Sequence, residues 1–218
     1  MQPYSYTTQK GILSASMLID ISRPIKSGMV VYPGNPPAQI DTVCAASDAE
    51  SGLSTISFGS HTGTHVDTLL HIDAKGSGAE SYLLDQYIGD ADVVEIGDGV
   101  TSIARKDIPQ TSSSRVLLKT KNSNTSLDVF DPDFAALTED GARELINRGV
   151  RLVGIDGPSI KKKGVKDSVH ELFLKNNIVI VEGLILKDVV PSTYKLMCLP
   201  LAIFHTDGVP CRAVLDSK

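Results

Sequence analysis

Short apolar runs rich in β-branched residues recur along the chain, bounded by glycine, proline, asparagine, aspartate or serine. They predict strands over residues 17–21, 30–32, 40–44, 54–58, 93–96, 116–120, 150–155, 178–181, 196–204 and 211–215. Asp207-Gly208 lies between the last two runs and is expected to close a hairpin. Helical periodicity is rarer. Residues 139–148 open with acidic side chains, place Leu145 and Ile146 on an apolar side and stop before Gly149. Ser168-Val-His-Glu171 has capping-box spacing and predicts a short helix over 169–175, and a further one is expected over 82–88.

Strands outnumber helices and alternate with them irregularly. This predicts the α/β class: one compact domain with a mixed, barrel-like β-sheet and a few outer helices. The 218 residues suit a single domain, and no repeat or linker divides them. Residues 1–15 are expected to form a flexible tail, and residues 16–218 the domain.

Composition narrows the function. Apolar residues make up 41% and charged residues 22%, and no run reaches the roughly 18 apolar residues of a membrane span. The N-terminus lacks the basic-then-apolar pattern of a secretory signal. Net charge is −5 without a basic stripe, which argues against a nucleic-acid partner. The one basic run, Lys161-Lys162-Lys163, is expected to be a solvated loop. Three cysteines, Cys44, Cys198 and Cys211, without a signal or CxxC spacing point to reduced thiols in the cytoplasm.

The candidate chemistry lies in Ser60-His61-Thr-Gly-Thr-His65-Val-Asp67-Thr-Leu-Leu-His71. Three of the chain's five histidines and a carboxylate share this segment. Imidazole and carboxylate are the usual ligands of zinc, iron and manganese. On a strand, His61, Gly63, His65 and Asp67 would share one face, and Gly63 would leave space for an ion. His170 is expected in the first turn of its helix. Glu182 follows an apolar strand, and a carboxylate there is costly unless paired or bound to a cation. His65-x-Asp67 with His170 also has the order of a two-His, one-carboxylate iron oxygenase, which would leave His61, His71 and Glu182 unused.

With these residues assembled, the chain resembles the cyclase-like metal hydrolase family, which includes bacterial kynurenine formamidase and isatin hydrolase. The most specific match is His61-x-Gly63-Thr64-His65-x-Asp67-x-x-x-His71. Weaker ones are Asp20-Ile-Ser-Arg-Pro24, Tyr32-Pro33-Gly34, Asp156-Gly-Pro-Ser159, His170, Glu182-Gly-Leu184, Pro200-Leu201 and Pro210-Cys-Arg212.

The resemblance implies that His61, His65 and Asp67 hold one divalent metal, and that Asp67, His170 and Glu182 hold a second. Zinc comes first as the metal and manganese second. His71 would be the acid/base. The reaction implied is attack of a metal-activated water on an amide, formamide, cyclic imide or lactone carbonyl of a small molecule, in a homo-oligomer, dimer or tetramer. A non-catalytic metal-binding domain of the same fold would have no use for His71.

The chain departs from the family at three places. Leu69 replaces a common proline, Tyr32 stands where tryptophan is common, and Lys161 lies where a second acidic residue often follows Asp156. Tyr32 is therefore expected to line the substrate pocket, with N-formylkynurenine not the best substrate.

Overall fold

The computed structural model describes residues 17–47 and 50–217, so the tail expected over 1–15 lies outside the described residues. Its strands are β1 (Met17–Asp20), β2 (Gln39–Cys44), β3 (Leu53–Ser57), β4 (His65–Asp67), β5 (Ile88–Glu95), β6 (Ser102–Ile103), β7 (Arg115–Lys119), β8 (Ala136–Leu137), β9 (Leu152–Ile155), β10 (Val179–Glu182), β11 (Ser192–Pro200) and β12 (Gly208–Ser217). The helices are α1 (Leu84–Tyr87), α2 (Glu139–Asn147) and α3 (Val169–Leu174).

Seven strands close on themselves in the order β12-β11-β5-β7-β9-β10-β4, with β4 pairing back to β12. The run β5-β7-β9-β10 is parallel, and the remaining pairs in the ring are antiparallel. The ring is the mixed, barrel-like sheet expected from the sequence. β12 is long enough to serve two neighbours along one edge, β4 at its start and β1 at its end.

Side-chain alternation divides the core in two. Val66, Val93, Leu117, Leu152, Val179, Val181, Leu196, Val209 and Leu215 come from all seven strands and fill the barrel. Val94, Val116, Leu118, Val153, Ile155 and Ile180 point outward and are covered by Ala142 and Leu145 of α2 and Phe173 and Leu174 of α3. The parallel strands are thus buried on both faces, which is why they read as continuous apolar runs. α2 and α3 lie in the crossovers β7–β9 and β9–β10, the connections that parallel neighbours require.

Several local expectations are corrected. Residues 30–32 form no strand. They run extended into a turn in which Asn35 N–H donates to the Tyr32 carbonyl at 2.9 Å, without a neighbouring strand edge to pair with. The strand expected over 196–204 sits earlier, at β11. Residues 201–207 leave the ladder, so Asp207-Gly208 is not a tight hairpin turn and Gly208 instead opens β12. The helix expected over 82–88 shortens to one turn because Ile88 already joins β5. Ser168 precedes α3 without a side-chain cap bond, and its N–H donates to Glu139 Oε1 at 2.9 Å instead.

Candidate metal centre

β4 has only three residues, all buried, and is held on both edges, by β10 and by β12. Val66 points into the barrel core, so its neighbours His65 and Asp67 point outward, toward the side that α3 covers. The register sets His65 opposite Glu182 and Asp67 opposite Ile180, so Glu182 emerges on that same outer face. α3 brings His170, also buried, over the group.

The polar atoms converge. His61 Nδ1 lies 2.9 Å from Asp67 Oδ1, and His65 Nε2 lies 3.5 Å from both Asp67 Oδ1 and Glu182 Oε2. His170 Nε2 is 3.3 Å from Asp67 Oδ2 and from Glu182 Oε1. Potential ligand atoms of His61, His65 and Asp67 all fall within 4.8 Å of one another, as do those of Asp67, His71 and His170. The structure thus gathers all five residues expected as ligands, with His71 beside them: its ring centroid is 4.5 Å from that of His61 and 5.1 Å from that of His170.

Further contacts aim these groups. His65 Nδ1 is 3.1 Å from the Gly63 carbonyl, so an Nδ1–H donated there leaves the Nε2 lone pair facing the carboxylates. Glu182 Oε1 accepts from Ile160 N–H at 2.7 Å and from Ser159 Oγ at 3.2 Å. No Lys or Arg pairs with Glu182 among the described residues. Asp156, in the weak-match segment before Ser159, is spent on structure: it accepts from the N–H and hydroxyl of both Thr120 and Ser123.

The role expected of Gly63 is corrected. Residues 60–64 form turns, not strand, and Gly63 has φ +67°; an added Cβ would lie 3.0 Å from Ile25 Cγ1 and 3.1 Å from the Arg23 carbonyl. Its glycine is required by backbone conformation and by the segment packed against it, not by space for an ion. Room beside the ligands comes from Gly208, opposite Asp67 on β12, where a Cβ would meet His61 Cε1 at 2.6 Å.

Asp207 is a site residue that sequence reasoning missed, because Asp-Gly reads as a turn. Its Oδ2 lies 3.3 Å from His61 Nε2, the ring nitrogen that Asp67 does not approach. No spacing signal could have linked it to His61.

Electrostatics bind the cluster. Burial opposes charge on His65 and His170, but the adjoining carboxylates of Asp67 and Glu182 outweigh it and push both imidazoles up to about 10. Burial alone would raise Asp67, yet the neighbouring imidazoles of His170, His61 and His65 hold it well below the usual carboxylate range. His71 goes the other way. Desolvation of its inner side, helped by the nearby charges of His61 and His170, lowers it below 6.5 although its outer edge is exposed.

The donor set fits a divalent cation. Two buried imidazoles, the half-buried His61 and two buried carboxylates meet here. His65 Nε2 and Asp67 Oδ2 have neighbours at 3.3–3.5 Å but no aligned hydrogen bond, a costly state for buried polar atoms that a cation between them relieves.

A cleft of about 380 Å³ opens on this cluster, lined by His61, His71, His170 and Glu182 with Tyr32 and Lys161–Lys163 among its walls. A narrower cavity of about 60 Å³ lies beyond Tyr32 and His61 and is closed by Phe130, Phe134 and Asp156. Tyr32 borders both spaces and meets Phe130 edge-on, with centroids 5.5 Å apart. Lys161–Lys163 therefore forms a wall of the cleft, and the expectation of a merely solvated loop is corrected.

A barrel carrying buried histidines and carboxylates on its outer face has the donor set of a divalent-metal centre. The chain belongs to the family described as Putative cyclase, whose model matches residues 19–162. It is 35% identical over 204 residues to a protein named kynurenine formamidase from Salinibacter ruber, covering 91% of this chain and 96% of that one. Among solved structures it is similar to a potential metal-dependent hydrolase with cyclase activity, with TM-score 0.82, 32% identity and coverage of 94% and 99% of the two chains. It shares the fold of isatin hydrolase A from Labrenzia aggregata, with TM-score 0.78, 18% identity and coverage of 92% and 93%.

Proposed function

We propose that this chain hydrolyses a carbon–nitrogen bond of a small formamide, amide or cyclic imide, with His61, His65, Asp67, His170 and Glu182 holding one or two divalent cations. Zinc is the first choice and manganese the second, since nitrogen and oxygen ligands suit both. The observation that carries the reading is the convergence of Asp67 and Glu182 on His65 and His170, at 3.3–3.5 Å and out of solvent. When bound, the metal supplies acidification of water and polarisation of the substrate carbonyl.

The protein's own groups do the rest. Asp67 and Glu182 balance the cation charge, and Ser159 and Ile160 fix the orientation of Glu182. His71, whose burial lowers its pKa and so favours the neutral ring, can take a proton at a ring nitrogen and return it to the leaving nitrogen. Tyr32 presents a ring and a hydroxyl to the substrate from the cleft wall. A two-His, one-carboxylate oxygenase would leave His61 and Glu182 without a part. Hydrolysis of simple aryl formamides, lost with a chelator, restored by zinc or manganese and indifferent to oxygen, is the test. Oxygen consumption, or no turnover in any metal form, would overturn it.

A cytoplasmic homo-oligomer is part of this proposal. All three cysteines are free, which suits a reducing compartment. Separately, no helix among the described residues is long and apolar enough to cross a membrane. The β2–β3 ribbon stands clear of the barrel and exposes Ile40, Val43, Leu53 and Ile56, an apolar surface that a second subunit would cover. Light scattering on the purified chain distinguishes monomer, dimer and tetramer.

A further inference from the structure

We propose that Asp207 is a positioning residue of the metal centre, whose carboxylate fixes the ring of His61 and decides which nitrogen it offers to the cation. The inference rests on the metal-site reading above and adds a residue outside the five ligands named there.

Those five ligands are not held alike. His65, Asp67 and Glu182 stand on paired strands and His170 on a helix, so backbone geometry places them. His61 stands on a turn. A turn residue takes no orientation from a ladder, so its ring must be fixed by side-chain contacts. Two carboxylates supply them, one at each ring nitrogen. Asp67 Oδ1 is 2.9 Å from Nδ1, and Asp207 Oδ2 is 3.3 Å from Nε2. A carboxylate only accepts, and a neutral imidazole carries one N–H and one lone pair. Nε2–H donated to Asp207 therefore leaves the Nδ1 lone pair on the side of Asp67, where the other ligands gather. His65 uses the opposite tautomer, with Nδ1 at the Gly63 carbonyl and Nε2 toward the carboxylates.

An exposed Asp-Gly is ordinarily a solvated turn. This one is anchored by the ligand segment itself. Thr68, next to Asp67, donates its N–H to the Asp207 carbonyl at 3.1 Å and its hydroxyl to the Thr206 carbonyl at 2.7 Å. Gly208 pairs with Asp67 across β12–β4, and a Cβ on it would lie 2.6 Å from His61 Cε1. The ring thus lies against bare backbone at Gly208, with one nitrogen at Asp67 and the other at Asp207. Ligand atoms of His71 also come within 4.8 Å of those of His61 and Asp207, but the hydrogen bond of Asp207 goes to His61.

The experiment uses the full chain with zinc, as wild type, Asp207→Ala, Asp207→Asn, His61→Ala and the Asp207→Ala/His61→Ala double variant. Chelator competition reads zinc affinity, and nitrogen-15 spectra of histidine-labelled protein read the ring protons. Asp207→Ala is expected to weaken zinc binding about 10–100-fold, the weight of an outer partner of a metal-bound histidine. Asp207→Asn, which keeps an acceptor oxygen, should lose less. In the His61→Ala background the Asp207 change should cost nothing further. The Nε2 proton of His61, identified by its absence in His61→Ala, should exchange with water faster in Asp207→Ala. Excess zinc should restore aryl formamide turnover in Asp207→Ala.

An equal loss of affinity with and without His61 would make Asp207 a general charge acting on the cation and overturn the proposal. Unchanged affinity with turnover still low at saturating zinc would assign Asp207 to His71 and overturn it as well. Where His61→Ala abolishes zinc uptake altogether, the proton exchange decides. If wild type takes up no zinc but Asp207 still protects the Nε2 proton, the metal reading falls and the positioning role stands. If zinc binds and neither affinity nor proton responds to Asp207, the metal reading stands and the positioning role falls.

Discussion

His65 and Glu182 are register partners across the antiparallel pair β4–β10, with His65 Nε2 3.5 Å from Glu182 Oε2. Strand pairing, not a loop, fixes one of the central contacts of the metal centre. Side chains directly opposite on one face of a sheet are held at close, repeatable spacing, so the geometry is built into the barrel.

Asp67 is the residue through which the site holds together, touching His61, His65 and His170 at 2.9–3.5 Å. Asp67→Ala is expected to remove all bound metal, because both proposed ligand sets use this carboxylate. Elemental analysis of the purified variant measures it, and undiminished metal content would refute the shared role.

His71→Ala is expected to keep its metal and lose about 10²–10⁴-fold in turnover, the usual weight of a general acid/base. Its pKa is pushed down, whereas His65 and His170 are pushed up to about 10 by their carboxylates. Because the ligand atoms of His71 also fall within 4.8 Å of those of Asp67 and His170, metal content must be measured alongside kcat. Metal lost together with activity would make His71 a ligand.

Glu182→Gln preserves shape and can still accept from Ile160 N–H and Ser159 Oγ, but removes the charge. Weaker metal affinity is expected with the fold intact. Competition with a chromophoric chelator reads the affinity, and an unchanged value would leave Glu182 a purely structural partner of His65 and His170.

The metal-free protein should show a specific pH dependence. His65 and His170 rise from 6.5 in the unfolded chain to about 10 in the fold. A raised folded pKa stabilises fully below 6.5, and that stability is lost as pH rises through about 10. Asp67, depressed from 3.8, adds stability above that value which disappears in acid. Chelator-treated protein should therefore melt at progressively lower temperature from pH 6.5 towards 10, whereas metal, by replacing the protons, should flatten or reverse the slope. A flat profile without metal would show that the cluster is not protonated as described.

Tyr32→Trp should alter specificity rather than metal content, since Tyr32 borders the cleft without contacting the ligands at hydrogen-bond distance. Wild type is expected not to favour N-formylkynurenine over cyclic amides and imides, because a tyrosine hydroxyl in the wall favours a substrate that can pair with it. Comparing kcat/KM across these substrates in both proteins tests the idea. A wild-type preference for N-formylkynurenine of about tenfold or more would sink it, and indifference of every substrate to the change would place Tyr32 outside the binding surface.

The sequence by itself determined the parts whose causes are local or periodic. The strands β5, β7, β9 and β10 were legible because both of their faces are buried, which leaves unbroken apolar runs. α2 was legible from its acidic start and terminal glycine. The cluster His61, His65, Asp67 and His71 was legible because most of the chain's histidines fall in one segment, and Glu182 because a carboxylate ending an apolar strand requires compensation.

Tertiary structure decided what depends on distant neighbours. Strand β4 is too short to carry a periodic signal and exists because β10 and β12 supply its hydrogen bonds from both sides. Residues 30–32 have strand composition but no strand edge to join. Asp207 reaches His61 only because β12 begins beside β4, with Gly208 opposite Asp67, and the three lysines face the cleft only because α3 returns His170 to the same outer face of the barrel. Composition and spacing report what a residue can do. Which partner it meets is fixed by strand register and barrel closure, and both are satisfied only when all seven strands are in place.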